Sequence, residues 1–305
     1  MSVADHLHNL DAQSGHDAAQ WRQWIAAALP ASLPPAGPEL LVCLDIDGTL
    51  LQHDGTASQA VRQALAAHQR AGTRVVLATG RGPAGTRIAA EEVGHTQCWA
   101  VTSNGAVTAR LTGDKQAASD RGFVVFSEEL FSPAVALQQL RTCLPEAIFG
   151  AQSSQCGMLV SAPWPEGEMQ EPTVVVPFSR LCEEMVSRVV VRAPEMGVAE
   201  FTQRVHQLGL EAVTYAIGWE SWLDVAPPGV TKASGCEALR TRLGIDRRAT
   251  VAIGDGANDL DMFAWAQWAV AMGQASAHVQ RAADFVTAPV REDGAALILQ
   301  ALLAR

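Results

Sequence analysis

Two carboxylates two residues apart, Asp45 and Asp47, are the residues best placed to do chemistry in this chain. They stand in Asp45-Ile46-Asp47-Gly48-Thr49-Leu50, directly after the short apolar run Leu40–Leu44. At the carboxyl end of a buried parallel strand, such a pair lies in the crevice where α/β sheets bind ligands. Asp45 could then serve as nucleophile and metal ligand, and Asp47 could shuttle a proton, while Gly48 permits a sharp turn. A solvated acidic turn is the plain alternative. A calcium loop is another, and spacing removes it: counted from Asp45, an EF-hand needs glycine sixth and glutamate twelfth, where Leu50 and Thr56 stand.

Three more segments offer complementary chemistry. Thr79-Gly80-Arg81 closes the apolar run Thr73–Ala78, and its hydroxyl and glycine amide form a compact donor pair for a phosphoryl oxygen. Arg81 reads equally as a structural ion pair. Thr231-Lys232 begins a predicted helix, where the lysine adds its charge to a favourable anion site, although a solvated lysine is common there. Gly254-Asp255-Gly256-Ala257-Asn258-Asp259 follows Val251–Ile253. Asp255 at a strand tip can complete a hard oxygen site for Mg²⁺, with Asn258 and Asp259 opening the next helix. It is no dinucleotide fingerprint, which would need glycine at 259.

The elements that must position these residues alternate between strand and helix. Leu40–Leu44, Thr73–Ala78 and Trp99–Thr102 read as buried parallel strands, and Ser58–Ala71 as an intervening helix stopped by Gly72. Glycine-rich turns between them predict βαβ units with right-handed crossovers, a Rossmann-like doubly wound parallel sheet. After about Val107 the order becomes strand, helix, strand, strand, twice over. The first copy runs Phe123–Phe126, Glu128–Leu144, Ala147–Ala151 and Gly157–Val160. The second runs Ser187–Arg192, Pro194–Leu208, Ala212–Ile217 and Trp222–Val225. Between them Pro163–Pro177 reads as a loop. Two such units predict an α+β lobe with one antiparallel sheet, inserted where a lid would sit. The doubly wound pattern then resumes with the helix Gly235–Leu243 and the strand Ala249–Ile253. Ahead of the sheet, Trp21, Trp24, Ile25 and Ala28 share a helical face, so the leader is expected to pack on the main domain or to dock a partner.

Composition narrows the classes. With 22 Lys+Arg against 32 Asp+Glu the net charge is −10, which argues against a nucleic-acid binder but not against a small phosphorylated substrate. Six scattered cysteines without a C-x-x-C pair read as reduced thiols, and eight dispersed histidines give no zinc spacing. No run approaches the ~20 apolar residues of a membrane span. The acidic N-terminus lacks the basic region of a signal peptide, so a cytoplasmic location is expected.

The four segments together resemble motifs one to four of the haloacid dehalogenase superfamily, in its Cof-type (class IIB) branch. Asn104-Gly105-Ala106, Asp224–Lys232 (DVAPPGVTK), Ala271-Met272-Gly273-Gln274-Ala275 and Asp293-Gly294 are similar to that branch's signatures, with Gln274 where asparagine is usual. The resemblance covers about residues 39–107 and 223–301. It implies a core of 36–107 and 224–305, a cap of 108–223, and a helical extension of 1–35 outside the pattern. It also implies a Mg²⁺-dependent phosphatase acting on a small phosphorylated metabolite, a sugar phosphate or phosphorylated cofactor, with no nucleic-acid or membrane partner. By that resemblance Asp45 attacks phosphorus to form an aspartyl-phosphate and Asp47 is the acid and base. Asp45, Asp255 and the main-chain carbonyl of Asp47 hold the metal. Ile46, Thr79, Gly80, Lys232 and Asn258 bind the phosphoryl group. Asp259, Arg81 and Asn104 support them, and Trp219, Glu220 and Trp222 are cap candidates for substrate contact. Relatives lacking the second acid do other chemistry, so Asp47 favours ester hydrolysis. A phosphomutase or phosphotransferase on the same core, and a non-catalytic binding protein, are the competing readings.

Overall fold

The computed structural model describes residues 18–113, 121–210, 213–217 and 221–305; Trp219, Glu220 and the first part of the leader lie outside them. Helix α1 (Ala18–Ala28) buries Trp21 and Ile25, one turn apart, against the main domain, with Trp24 and Ala28 on the same side. The leader helix therefore packs on the core, as one of the two expectations had it.

The sheet begins with β1 (Leu41–Leu44), α2 (Gln59–Ala71), β2 (Arg74–Ala78), α3 (Pro83–Glu92) and β3 (Trp99–Thr102). Ser58 caps α2 by accepting from the Val61 amide, and Gly72 ends it in the left-handed region at φ 76°. A hairpin of β4 (Val107–Leu111) and β5 (Phe123–Glu128) follows. The chain then builds the second lobe from α4 (Ala134–Cys143), β6 (Ile148–Ser153), β7 (Gly157–Val160), β8 (Thr173–Val175), α5 (Phe178–Glu183), β9 (Arg188–Arg192), α6 (Val198–Leu208), β10 (Thr214–Ile217) and β11 (Trp222–Ala226). It returns through α7 (Lys232–Leu243), β12 (Thr250–Gly254), α8 (Leu260–Trp265), β13 (Trp268–Ala271), α9 (Ala277–Ala282), β14 (Phe285–Val286) and α10 (Gly294–Leu303).

The large sheet has the order β14-β13-β12-β1-β2-β3-β4-β5, parallel as far as β3 and antiparallel beyond it. Both faces are covered. Val42 and Leu44 join the cluster under α2 and α10, whereas Leu41 and Cys43 join the one under α7, α8 and α9. That is why β1 reads as an unbroken apolar run. From β1 the chain winds one way through β2 and later returns on the other side at β12. The β1/β12 junction is thus the switch point, and Asp45 and Asp255 sit at its two strand tips.

Three details differ from the sequence reading. β11 runs to Ala226 in the second lobe's sheet, so the core resumes beyond it and not at 224. The strand expected to open the first repeat, Phe123–Phe126, pairs with β4 in the large sheet, so the core sheet extends to Glu128 and not to Val107. Strand, helix and strand spacing is the same in both copies; what differs is the partner, because the turn at Ser103–Gly105 folds β4 back against β3. The stretch 163–177, read as a loop, contains β8, which pairs in parallel with β7. The lobe's sheet runs β10-β11-β9-β6-β7-β8. Its helices cover one face through Leu137, Leu140, Leu181, Phe201 and Val205. The other face carries Met158, Val160 and Val190, with Trp164, Met169 and Trp222 packed on them, and looks onto the strand tips of the core. No helix among the described residues is long and apolar enough to cross a membrane.

Candidate active site

Lys232 is the electrostatic centre of the site. Its side chain is fully buried, and its Nζ donates to Asp45 Oδ1 and Asp259 Oδ1, both at 2.7 Å. Burial alone would discharge a lysine, but the two carboxylates outweigh it and hold the ammonium more firmly protonated than usual. Thr231 caps α7 in a reciprocal box with Ser234, which fixes where Lys232 enters. Burial pushes the Asp45 carboxyl well above its ordinary range, with Lys232 pulling the other way and Asp259 and Asp255 adding repulsion. Asp259 is spent on structure: its second oxygen accepts the amides of Asp255 and Gly256, at 3.0 and 2.9 Å. Asp259, expected as a supporting residue, thus holds Lys232 and the loop that carries Asp255.

Asp255 completes an acidic group with Asp45 and Asp259, whose ligand atoms lie within 4.8 Å of one another. Burial first, then Asp259, pushes its carboxyl up to about 6. Gly48, at φ 73°, makes room for it, since a Cβ there would fall 2.2 Å from Asp255 Oδ2. Gln274 donates to Asp255 Oδ2 at 3.2 Å and to the Gly48 carbonyl, and accepts from the Val290 amide at 2.9 Å. The longer amide at the usual asparagine position thereby ties three segments together. Buried carboxylates held this close repel one another, and hard oxygen donors of this kind suit a small divalent cation. With Asp259 occupied, Asp45 and Asp255 are the side chains that fit one.

Thr79, Gly80 and Asn258 also line the cavity, with Asn104 packed behind Gly80. The Thr79 Oγ1 accepts from the Arg81 amide at 3.1 Å, and the Asn104 amide donates to the Thr79 carbonyl at 3.0 Å. Asn104 adopts the left-handed region at φ 51° and its Oδ1 accepts from Asn258 Nδ2 at 3.0 Å. Gly105 follows at φ 104°, where a Cβ would sit 1.9 Å from the Thr231 carbonyl oxygen. This close approach lets α7 bring Lys232 under Asp45. Gly105→Ala is therefore expected to cost about 2–4 kcal/mol by chemical unfolding and to lower activity through Lys232. Ile46 has its side chain in the core, which leaves only its main chain for a ligand.

Asp47 faces outward, with 57% of its side chain exposed, and Arg81 grips both its oxygens, Nε at 2.8 Å from Oδ2. The same guanidinium donates to Gln170 of the second lobe. Beside it Glu171, also of that lobe, is buried against Gln152 and accepts from the Gly85 amide at 3.2 Å. Between the lobes lies a cavity of about 660 Å³ whose lining joins the core residues Asp45, Asp47, Thr79 and Asp255 to Arg188, Trp222 and Asp224 of the cap. Trp222, one of the three cap candidates, does line it. Arg188, Glu168 and Gln170 were missed. For Arg188 a signal existed: in Ser187–Arg192 every second residue, Arg188, Val190 and Arg192, shares one strand face.

A sequence profile of the haloacid dehalogenase-like hydrolases matches residues 42–124 and 169–299, well over half of the chain. Phosphatase YwpJ of Bacillus subtilis is 28% identical over 299 residues, covering 86% of this chain and 99% of that protein. Among solved structures, the phosphatase BT1666 of Bacteroides thetaiotaomicron superposes with a TM-score of 0.67 at 25% identity, covering 90% of this chain and 99% of its own. The subclass IIB sugar phosphatase BT4131 gives 0.67 at 23%, covering 84% and 96%. The chain belongs to the haloacid dehalogenase-like hydrolases. Within them it is a Cof-type member, a hydrolase acting on phosphate esters.

Proposed function

We propose that this protein is a Mg²⁺-dependent, cytoplasmic phosphatase that hydrolyses a small phosphorylated metabolite through an aspartyl-phosphate on Asp45. The observation that carries this reading is the Asp45 carboxylate at the switch point, held through one oxygen by the buried Lys232 and facing the cavity. Its other oxygen attacks phosphorus in line as the bond to the leaving oxygen breaks. Asp47 gives that oxygen a proton, then takes one from the water that attacks the phosphoenzyme, and Asp45 is returned. Thr79, Gly80, the Ile46 main chain, Lys232 and Asn258 bind the phosphoryl oxygens, positioning them and spreading their charge. Mg²⁺ held by Asp45, Asp255 and the carbonyl of Asp47 would supply further positive charge to those oxygens.

Phosphate release from a panel of phosphorylated metabolites, with Mg²⁺ and with excess EDTA, tests the reading. Metal-dependent release from some members is expected; none from a folded protein would turn attention to a mutase, a phosphotransferase or a binding role. Asp47→Asn is expected to lower kcat by about 10²–10⁴-fold on alkyl phosphates. In the first turnover, leaving-group release should suffer less on p-nitrophenyl phosphate, whose leaving group needs no proton; an equal first-turnover loss on both would remove Asp47 as the acid.

A further inference from the structure

The part of the cavity beyond the phosphoryl site has charged residues, yet its cations are already neutralised. Arg188 Nε donates to Asp224 Oδ1 at 2.7 Å, and Trp222 Nε1 occupies Oδ2 at 3.0 Å. Arg192 grips Glu168 through two bonds of 2.7 and 2.8 Å. Both arginines are largely buried, so water screens these pairs weakly. Across the described lining, seven carboxylates face two guanidinium groups, those of Arg81 and Arg188, and Arg81 is bound to Asp47. A cation at Asp45 and Asp255 would offset charge at the phosphoryl end, whereas at the cap end Arg188 matches Asp224, Arg192 matches Glu168 and Glu171 is left in excess. That end offers an indole, the Met169 side chain, the Gln170 amide and the terminal guanidinium nitrogens of Arg188, which lie over the Trp222 ring and have no hydrogen-bond partner among the described residues.

We propose, resting on the phosphatase reading above, that this end selects the uncharged, hydroxyl-bearing alcohol part of a monophosphate and rejects substrates with a second anionic group. Arg188, with its charge matched by Asp224, serves hydroxyls as a hydrogen-bond donor without attracting a second phosphate. The Trp222 and Met169 surfaces take the C–H faces between those hydroxyls. A further phosphate or carboxylate would approach Glu168 and Asp224, and displacing either would strand a buried arginine.

The test uses matched pairs: fructose 6-phosphate with fructose 1,6-bisphosphate, glucose 6-phosphate with 6-phosphogluconate, and ribose 5-phosphate with ribose 1,5-bisphosphate. Turnover is measured on the wild type, and binding by calorimetry on the Asp45→Asn protein with Mg²⁺ present. The member with a single anionic group is expected to lead by about tenfold or more in the pairs that bind, with Glu168→Gln narrowing that lead. Equal or better binding of the doubly anionic member, a lead unchanged by Glu168→Gln, or no binding by any pair would overturn the proposal. Binding preference without turnover on any phosphate ester would uphold it while defeating the phosphatase reading, so the two fail separately.

Discussion

Asp45→Asn is expected to reduce phosphate release by on the order of 10⁴-fold while circular dichroism stays that of the wild type. The amide keeps the volume and can still accept from Lys232 Nζ through its carbonyl oxygen, so the 2.7 Å contact has a replacement. What it loses is the anionic oxygen that attacks phosphorus. Because Asp45 is buried and crowded by Asp255 and Asp259, removing its charge relieves repulsion in the metal-free protein. Thermal unfolding in EDTA should therefore show the variant at least as stable as the wild type. An asparagine variant with wild-type turnover, its sequence checked by mass spectrometry against deamidation, would remove Asp45 as nucleophile.

Lys232→Met should be the most destabilising single change in the site. The methionine has similar length, but Asp45 and Asp259 lose the cation that both touch, Asp259 with no access to solvent and Asp45 with only an edge on the cavity. Stranding buried charges in this way costs about 3–5 kcal/mol, measurable by denaturant titration. Asp45 is already pushed up by burial, and without Lys232 it moves further in the same direction. A carboxyl raised in the folded state binds a proton there that the unfolded chain has released, so its contribution is intact below the unfolded value of about 4 and is lost as pH rises through the folded one. The variant should therefore fall furthest behind the wild type at neutral and alkaline pH, and the gap should narrow toward pH 4. A gap independent of pH would mean that lost packing, not stranded charge, is the cause.

The chemistry of the core was legible because each segment carries its own local cause. Asp45 and Asp255 end short apolar runs that read as buried strands, and Gly48 and Gly105 stand where only glycine fits. Lys232 could be placed at a helix start, but its complete burial between two carboxylates could not, since Asp45 and Asp259 lie 187 and 27 residues away. The cap was harder. The repeat gave β6, β7, β9, β10 and β11 but not β8, and nothing in Phe123–Phe126 states whether β4 or β9 will be its neighbour. The residues that reach the core, Gln170 and Glu171, sit in an irregular stretch without periodicity, where hydrophobic patterning carries no signal.

The seat of Glu171 has a kinetic consequence. Its carboxylate rests over Gly82 and Gly85, where side chains would collide with it, so this part of the lobe contact is polar and contributes little hydrophobic burial. Parting the lobes there costs a few hydrogen bonds that water can replace, and reclosing must strip water from a carboxylate again. Opening at this seam is therefore expected to expose little apolar surface, with the desolvation barrier falling on reclosure. Arg81 holds Asp47 and Gln170 with one guanidinium, so parting the lobes would also loosen the group that grips Asp47.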